Sequence, residues 1–460
     1  MKSLAAIILA AGKGTRMKSK IPKVLHPVAG TPMLSFTIDL LERLGAATVI
    51  VVVGHGRGEV KKYFSAKNLT FVEQKEQLGT GHAVLVASRA LKGFKGDVLI
   101  LSADVPLLKG ATIKGLLKLH RARGRKRSVS FLTTMLADPR GYGRVLRDER
   151  GRVAGVIEEK DADPAQRSIG EVNTGTYAVD SGFLFKNIKR LKSANAQGEY
   201  YLPDLVSLAV KEGFHVRALT SPEPEEVMGV NNRVELARAS AVMRRRILDG
   251  LMRSGVTIID PSNTYIESGV RVGVDTTIYP NVRLSGATSI GKGSVIEEGV
   301  VIKDSKVGSG SSIRSYSVIE SSRIGKGVSI GPFARLRPGN TVAEGVRIGN
   351  FVEVKNSRIG AGAKAGHLSY LGDSVIGARV NIGAGAITCN YDGAKKYITR
   401  VGDGAFIGSD SQLVAPVKVG RGAYVGSGTT VTRDVPPGSL VTSRGREKVI
   451  KGWVKKRFKK

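Results

Sequence analysis

Residues Tyr265–Ile302, set in rows of six, read YIESGV RVGVDT TIYPNV RLSGAT SIGKGS VIEEGV VI. The second place of every row is aliphatic: Ile266, Val272, Ile278, Leu284, Ile290, Ile296 and Ile302. A period of six matches neither the 3.6 of an α-helix nor the 2 of a half-buried strand. It is the period of a parallel β-helix, in which each side of a three-sided coil takes one hexapeptide and the aliphatic residues stack inside. The repeat resumes at Ile324, Ile330, Leu336, Val342, Ile348 and Val354, and again at Val401, Ile407, Leu413, Val419, Val425 and Val431. Single-residue slips fall at Ile302–Val307, Ile319–Ile324, Val354–Ile359 and Leu371–Ile376. One larger interruption, CNYDGAKKYITR from Cys389 to Arg400, leaves the pattern and predicts a loop on a rigid scaffold, a common place for chemistry.

Upstream of residue 255 the pattern changes. Apolar runs such as Val49–Gly54 and Val98–Leu101 alternate with helix-like segments such as Met33–Leu44 and Gly81–Leu91. That alternation predicts a largely parallel sheet with helices on both faces, whose ligands sit beyond the carboxyl ends of the strands. Between the halves, Val234, Ala237, Ala241, Leu248 and Leu251 keep helical spacing, with Asn232 and Glu235 as a start signal and Gly255 as a stop. The expected organisation is therefore an α/β domain over 1–230, a connecting helix over 231–254, a β-helix over 255–443 and a basic tail over 444–460.

The 460 residues exceed what one core accommodates, consistent with that division. A single cysteine, Cys389, excludes an internal disulfide and fits a reducing compartment. No segment has the length of a membrane span, so a cytoplasmic protein is expected. The formal charge of +33 concentrates at Arg121–Arg127, Met243–Arg246 and the tail. These runs carry no nucleic-acid reading motif and no clear amphipathic membrane helix. They read as solvated basic surface that attracts small polyanions, with no nucleic-acid partner expected.

The stretch LAAGKGTRMKSKIPKVL, Leu9–Leu25, follows a predicted buried strand at Ala5–Ala10. It is not a Walker loop, because Gly14 follows Lys13, and not a dinucleotide fingerprint, because Met17 replaces the third glycine. Gly12 and Gly14 permit close backbone approach, and Lys13, Arg16 and Lys23 supply charge for a polyphosphate. Asp104, at the tip of the predicted strand in DVLILSAD, faces the same end of the sheet and suits Mg2+ held together with phosphates.

The β-helix period yields a second site. Arg337 and Lys355 are eighteen residues apart in one unbroken run, so they stack one coil above the other. Like charges so placed repel unless an anion lies against them, which points to phosphate. His367 in AGHLSYLGD lies near Tyr370 and one coil below the small Ala384. It is suited to take a proton from an amine that attacks an acyl group. Cys389 has no adjoining base and reads as packing.

In order along the chain, LAAGKGTRM, PKVLHPVAGTPM, QLGTGHA, ADVPLL, GYGRV, EVNTG, NAQGEYYLPD and GVNNR, followed by the hexapeptides, resemble one bacterial family. It is that of the bifunctional N-acetylglucosamine-1-phosphate uridyltransferase / glucosamine-1-phosphate N-acetyltransferases. The resemblance implies an N-terminal Rossmann-like nucleotidyltransferase domain and a C-terminal left-handed β-helix that associates as a homotrimer, with acetyltransfer sites between subunits. It implies that Leu9, Ala10, Ala11, Gly12, Gln74, Gly79 and Thr80 hold UTP and that Lys13, Arg16 and Lys23 face its phosphates, Arg16 and Lys23 as catalytic residues. Gly143, Glu158 and Asn173 contact the sugar of N-acetylglucosamine 1-phosphate, and Asp104 with Asn231 binds Mg2+. Asn231 also reads as a helix cap, and Ala103 stands where the family commonly has glycine, placing a methyl near the sugar.

In the β-helix the resemblance implies His367 as general base for acetyl transfer from acetyl-CoA. Arg337, Lys355, Tyr370 and Asn381 bind the phosphate of glucosamine 1-phosphate, and Ala384, Asn390, Tyr391, Ser409, Ser427 and Arg444 line the CoA site. The product, UDP-N-acetylglucosamine, feeds peptidoglycan and lipopolysaccharide synthesis. A competing reading keeps only the nucleotidyltransferase activity and makes the β-helix structural or regulatory.

Overall fold

The computed structural model describes residues 3–122, 128–443, 445 and 447–457. Arg444, expected at the CoA site, lies outside the described residues, as do residues 123–127 of the first basic run. The chain divides into two compact units, Met1–Met243 and Arg244–Lys460.

The first unit is built on a sheet whose main path runs Arg217–Ser221, Val129–Met135, Glu171–Asp180, Gly96–Ser102, Ser3–Ala10, Thr48–Val53 and Thr70–Glu73. Neighbours are parallel except Glu171–Asp180, which runs antiparallel to both strands beside it. The predicted buried strand thus lies inside the sheet, between Gly96–Ser102 and Thr48–Val53. Alternation along it explains why its run is apolar throughout: Ala5 and Ile7 enter one core with Ile50 and Ile100, while Ala6 and Ile8 enter the other with Val51 and Leu99. The helices Met33–Arg43 and Thr80–Ser88 fall where helices were expected.

The helix Arg233–Arg253 replaces the expected 231–254 with little change. Asn232 Oδ1 accepts from the Glu235 N–H at 2.9 Å and its amide donates to Glu235 Oε1 at 2.6 Å, a reciprocal cap. Gly255 stops the helix at φ +93°. The apolar stripe read from the sequence holds at its carboxyl end, where Leu248 is buried and Leu251 packs beside it, and is corrected at the other: Val234 is 61% exposed, and Ala237 and Ala241 are exposed as well. Leu236, Ala239 and Met243 pack in the small core with Val230. Both stripes have helical spacing, and only the neighbouring residues decide which one is covered.

In the second unit three parallel sheets stack as the sides of a coil. The first side runs from Thr257–Ile258 to Leu440–Val441, the second from Tyr265–Ile266 to Thr430–Val431, the third from Arg271–Val272 to Val417–Val419. This is the hexapeptide β-helix, of the left-handed class. The slips are where a coil shortens from eighteen residues to seventeen: Leu284 pairs with Ile302, but Ile302 with Ile319. The aliphatic residues of the repeat fill one continuous core, with Ile278, Leu284, Ile302 and Ile330 fully buried. Each such side chain contributes about 1.5–3 kcal/mol relative to exposure.

Candidate functional site

In the first unit the central strands end at two adjoining cavities. The larger, about 560 Å³, is lined by Leu9, Ala11, Gly12, Lys13, Arg16, Lys23, Gln74, Gly79, Thr80, Asp104 and Asn231. The smaller, about 200 Å³, is lined by Gly143, Glu158 and Asn173 and shares Leu9, Thr80 and Ser102 with the first. Residues 222 positions apart in the chain, Leu9 and Asn231, thus share one wall. Ala10 is the exception among the expected nucleotide residues: it is buried in the core and lines neither cavity, because its side chain points away from the face that Leu9 presents.

Local geometry explains the loop. Gly14 has φ +63°, and a Cβ there would lie 2.8 Å from Lys23 Cβ, so glycine lets the two short turns Thr15–Met17 and Lys23–Leu25 pack together. Gly79, φ +98°, would place a Cβ 2.7 Å from the Tyr200 carbonyl. Gln74 Nε2 donates to the Gly79 carbonyl at 3.1 Å, and Gln77 Nε2 to the Ala11 carbonyl at 2.7 Å. Gln77, Ser102 and Glu199 line the cavity and were missed in the sequence, although each lies in a stretch already singled out: QLGTGHA, DVLILSAD and NAQGEYYLPD.

Lys23 Nζ donates to Asp104 Oδ2 and, at 2.7 Å, to Asn231 Oδ1. The Val230 N–H donates to the Asp104 carbonyl at 2.8 Å, which fastens Asn231 beside Asp104. The alternative role of Asn231 as a cap falls to Asn232 instead, and the Asn231 amide oxygen faces the cleft, where it accepts from Lys23. Ala103 is fully buried in the core and lines neither cavity, so the expected methyl beside the sugar is absent: the side chain points under the sheet.

The smaller cavity is lined mainly by polar surface. Burial, and then the carboxylates of Asp161 and Asp204, push the Glu158 carboxyl above its usual range. Asn173 Nδ2 donates to the Tyr177 hydroxyl at 2.7 Å, which orients the amide.

On the β-helix the register aligns the expected residues in columns. Asn350 pairs with His367, and the pairings Lys364–Asn381 and Ala365–Ile382 carry Ala384 onto His367. Asn381–Phe406 and Phe406–Tyr424 carry Ser409 onto Ala384 and Ser427 onto Ser409. His367, Ala384, Ser409 and Ser427 therefore form one column at the end of the first side. On the second side, Leu336–Val354 pairing brings Arg337 and Lys355 into adjacent coils, and Lys355 pairs with Gly372. A Cβ on Gly372 would sit against the Tyr370 hydroxyl, so glycine lets that ring lie back across its own strand. Asn381 is not brought to these residues: it lies on the first side, between Lys364 and Phe406, whereas Arg337, Lys355 and Tyr370 lie on the second.

The interruption at Cys389–Arg400 closes on itself through the bridge Tyr391–Lys396. Asp373 anchors its base, accepting from Asn390 Nδ2 at 2.5 Å and from Asn356 Nδ2 at 2.6 Å. Tyr391 is exposed. The loop delivers Lys396, which the sequence reading missed, onto Lys355; Lys396 first and Arg337 after it hold the Lys355 ammonium below the usual lysine range. Arg337 also pairs with Glu353 at 3.1 Å. Burial pushes the Cys389 thiol up, in keeping with packing rather than nucleophilic chemistry.

An α/β unit with a nucleotide-sized cleft joined to a hexapeptide β-helix defines the class: a two-domain transferase. Residues 6–150 match the MobA-like NTP transferase domain, and residues 398–433 match the bacterial transferase hexapeptide (six repeats). The chain is 51% identical over 454 residues to the bifunctional protein GlmU of Pelobacter propionicus, covering 98% of each chain. It is 50% identical to that of Geotalea uraniireducens, covering 98% of this chain and 99% of the relative, and 48% identical to that of Shouchella clausii, covering 99% and 100%. The chain belongs to the family of bifunctional GlmU proteins.

Proposed function

We propose that the two cavities of the first unit form the uridyltransferase site and the columns of the β-helix the acetyltransferase site. As a member of its family the chain is an enzyme with two activities, glucosamine-1-phosphate N-acetyltransferase and UDP-N-acetylglucosamine diphosphorylase. In our assignment residues 1–230 perform the second reaction, 255–443 the first, and 231–254 join them.

In the first unit, UTP takes the larger cavity and N-acetylglucosamine 1-phosphate the smaller. Their shared wall at Leu9, Thr80 and Ser102 is the observation that carries this reading, because it sets the two substrates end to end. The sugar-phosphate oxygen attacks the α-phosphorus in line and pyrophosphate leaves, so the protein's task is alignment and charge neutralisation. Lys13, Arg16 and Lys23 supply cations, and Glu158 and Asn173 hold the sugar. Asp104 and Asn231 fit Mg2+: their oxygens already converge on one cation, Lys23 Nζ, and a carboxylate with an amide oxygen suits an ion that keeps waters. When bound, such an ion neutralises phosphate charge.

On the β-helix, Arg337, Lys355 and Lys396 receive the phosphate of glucosamine 1-phosphate. His367 takes the proton from the amine as nitrogen attacks the thioester carbonyl and the CoA sulfur leaves. Ala384, Ser409 and Ser427, small and in file above His367, leave a path for the pantetheine arm, with Asn390, Tyr391 and Arg444 toward CoA. The position of Asn381 on another side from Arg337 supports a site completed by a neighbouring subunit. A homotrimer is further supported by exposed rings that stack up to the site: Tyr316 on Phe333 at 5.3 Å and Phe333 on Phe351 at 5.6 Å, followed in the column by Leu368. Among the described residues no helix is long and apolar enough to cross a membrane. A cytoplasmic setting is the reading that the single free cysteine supports.

The test is one coupled assay with glucosamine 1-phosphate, UTP and Mg2+, with and without acetyl-CoA, following pyrophosphate and UDP-N-acetylglucosamine by mass. Product only with acetyl-CoA is expected. Product only from N-acetylglucosamine 1-phosphate supplied ready-made would remove the acetyltransferase assignment.

A further inference from the structure

The outward residues of the third side of the β-helix form one column along the pairing Arg271–Ser289–Lys306–Arg323–Thr341–Arg358–Val375–Arg400–Lys418. Six of these nine positions are cations, and all six are exposed. Lys306 lies directly beside Arg323, and Arg400 beside Lys418. At about 4.8 Å per strand, the eight steps span roughly 38 Å.

Two features separate this row from an ordinary solvated face. Like charges opposite one another in a sheet are destabilising; on the second side Arg335 meets Glu320 at 2.5 Å and Arg337 meets Glu353 at 3.1 Å, and on the first side Arg347 opposite Lys364 is a single step between Ser329 and Asn381. Among the described residues none of the six cations in the row forms an ion pair. The strip beside them is bare backbone, since a Cβ on Gly273, Gly308 or Gly402 would fall within 2.5–2.6 Å of the next coil's main chain. Toward its carboxyl end the row enters a cleft of about 610 Å³ holding Arg400, Lys418 and Arg421. The acids of that cleft are engaged with backbone: Asp403 accepts from the Ala378 N–H and Asp434 from the Lys418 N–H, each at 2.8 Å.

We infer that the third side binds the phosphate backbone of a nucleic acid, without reading its sequence. A membrane would be met by charges spread over two dimensions and by apolar anchors, whereas these cations lie in a single file with glycines alongside. Arginines in four of the six places suit phosphate oxygens. The span matches about one turn of a duplex, roughly 34–36 Å. No aromatic side chain stands in the row to stack on bases, and no reading motif is present. The row does not coincide with the charge runs of the sequence, whose members lie elsewhere.

The test is fluorescence anisotropy of a labelled 20-base-pair duplex with the full chain between 50 and 200 mM salt. Six phosphate contacts predict a loss of about a thousandfold in affinity over that range. The variant Arg323→Gln/Arg358→Gln/Arg400→Gln is expected to lower the slope of log affinity against log salt by about three. Both transferase activities stay unchanged and Tm does not fall, which shows that the fold is intact. The variant Lys451→Gln/Lys455→Gln/Lys456→Gln in the tail is expected to bind the duplex as the parent does. Equal binding by the row variant and the parent would overturn the inference, as would loss of binding in the tail variant alone. A loss by the row variant on phosphatidylglycerol vesicles without one on the duplex would overturn it too, and assign the row to lipid.

Discussion

In our assignment the two candidate sites collect phosphate by opposite means. In the α/β unit the walls are concave, and enclosure tunes the groups: burial raises the Glu158 carboxyl, and the Lys23 ammonium is held between the oxygens of Asp104 and Asn231. On the β-helix the candidate residues lie on the outer surface of the coil, with Arg337 and His367 exposed. There Lys355 is depressed chiefly by the neighbouring cation Lys396, with lost hydration and Arg337 adding to it. One fold makes an anion site by surrounding a space, the other by stacking charges that gain when an anion arrives. A rigid coil tolerates such crowding because its stability comes from the aliphatic core, not from its surface.

The sharpest break in this comparison is His367→Ala. Acetyl transfer is expected to fall about 10²–10⁴-fold with uridyl transfer unchanged, measured in separate assays for CoA thiol and pyrophosphate. A parallel loss of both would mean that the sites are not independent. Asp104→Asn is its mirror image, with pyrophosphate release down by about 10²–10³ and acetyl transfer intact.

Smaller effects sharpen the contrast. Lys396→Met removes a charged contact to the sugar phosphate and is expected to raise KM for glucosamine 1-phosphate about tenfold. It also frees Lys355 from the neighbour that depresses it. The alkaline limb of the KM profile therefore moves to higher pH in the variant, because Lys355 then holds its proton further up the scale; an unmoved limb would break the link between the two lysines. In the enclosed site the sign is opposite. Glu158 binds its proton at higher pH than an ordinary glutamate, so sugar affinity is present above its raised pKa and lost as pH falls through it. Glu158→Gln should abolish that acid limb while raising KM several-fold. Smallest is Gly143→Ala, whose Cβ would lie 3.2 Å from Glu158 Oε1; a rise of a few-fold in KM for the sugar phosphate alone is expected.

Much of this was legible in the residues. The second place of each hexapeptide is buried as its period demands, and the slips mark the coils that shorten by one residue. The glycine loop lies at the strand tips, and Arg337 stands over Lys355. Other features were not legible. The stripe of Val234, Ala237 and Ala241 is exposed because an equally periodic stripe found partners first. Ala103 points into the core because strand alternation, not motif position, sets its direction. Lys396 sits in a segment with no period, so only the closed loop brings it to Lys355.

The sequence by itself determined the architecture, because a six-residue aliphatic period and alternating strands and helices each admit one way of burying their apolar faces. It also brought the cations of the glycine loop, Lys13, Arg16 and Lys23, to one cavity. What only the tertiary structure decided is which distant residues share a surface: Gln77 beside Ala11, Lys396 beside Lys355, and the cations of the third side in a single file. Coils of seventeen, eighteen or more residues bring those cations into register, and charges so far apart along the chain acquire their mutual repulsion, and their affinity for an anion, only when the coil closes.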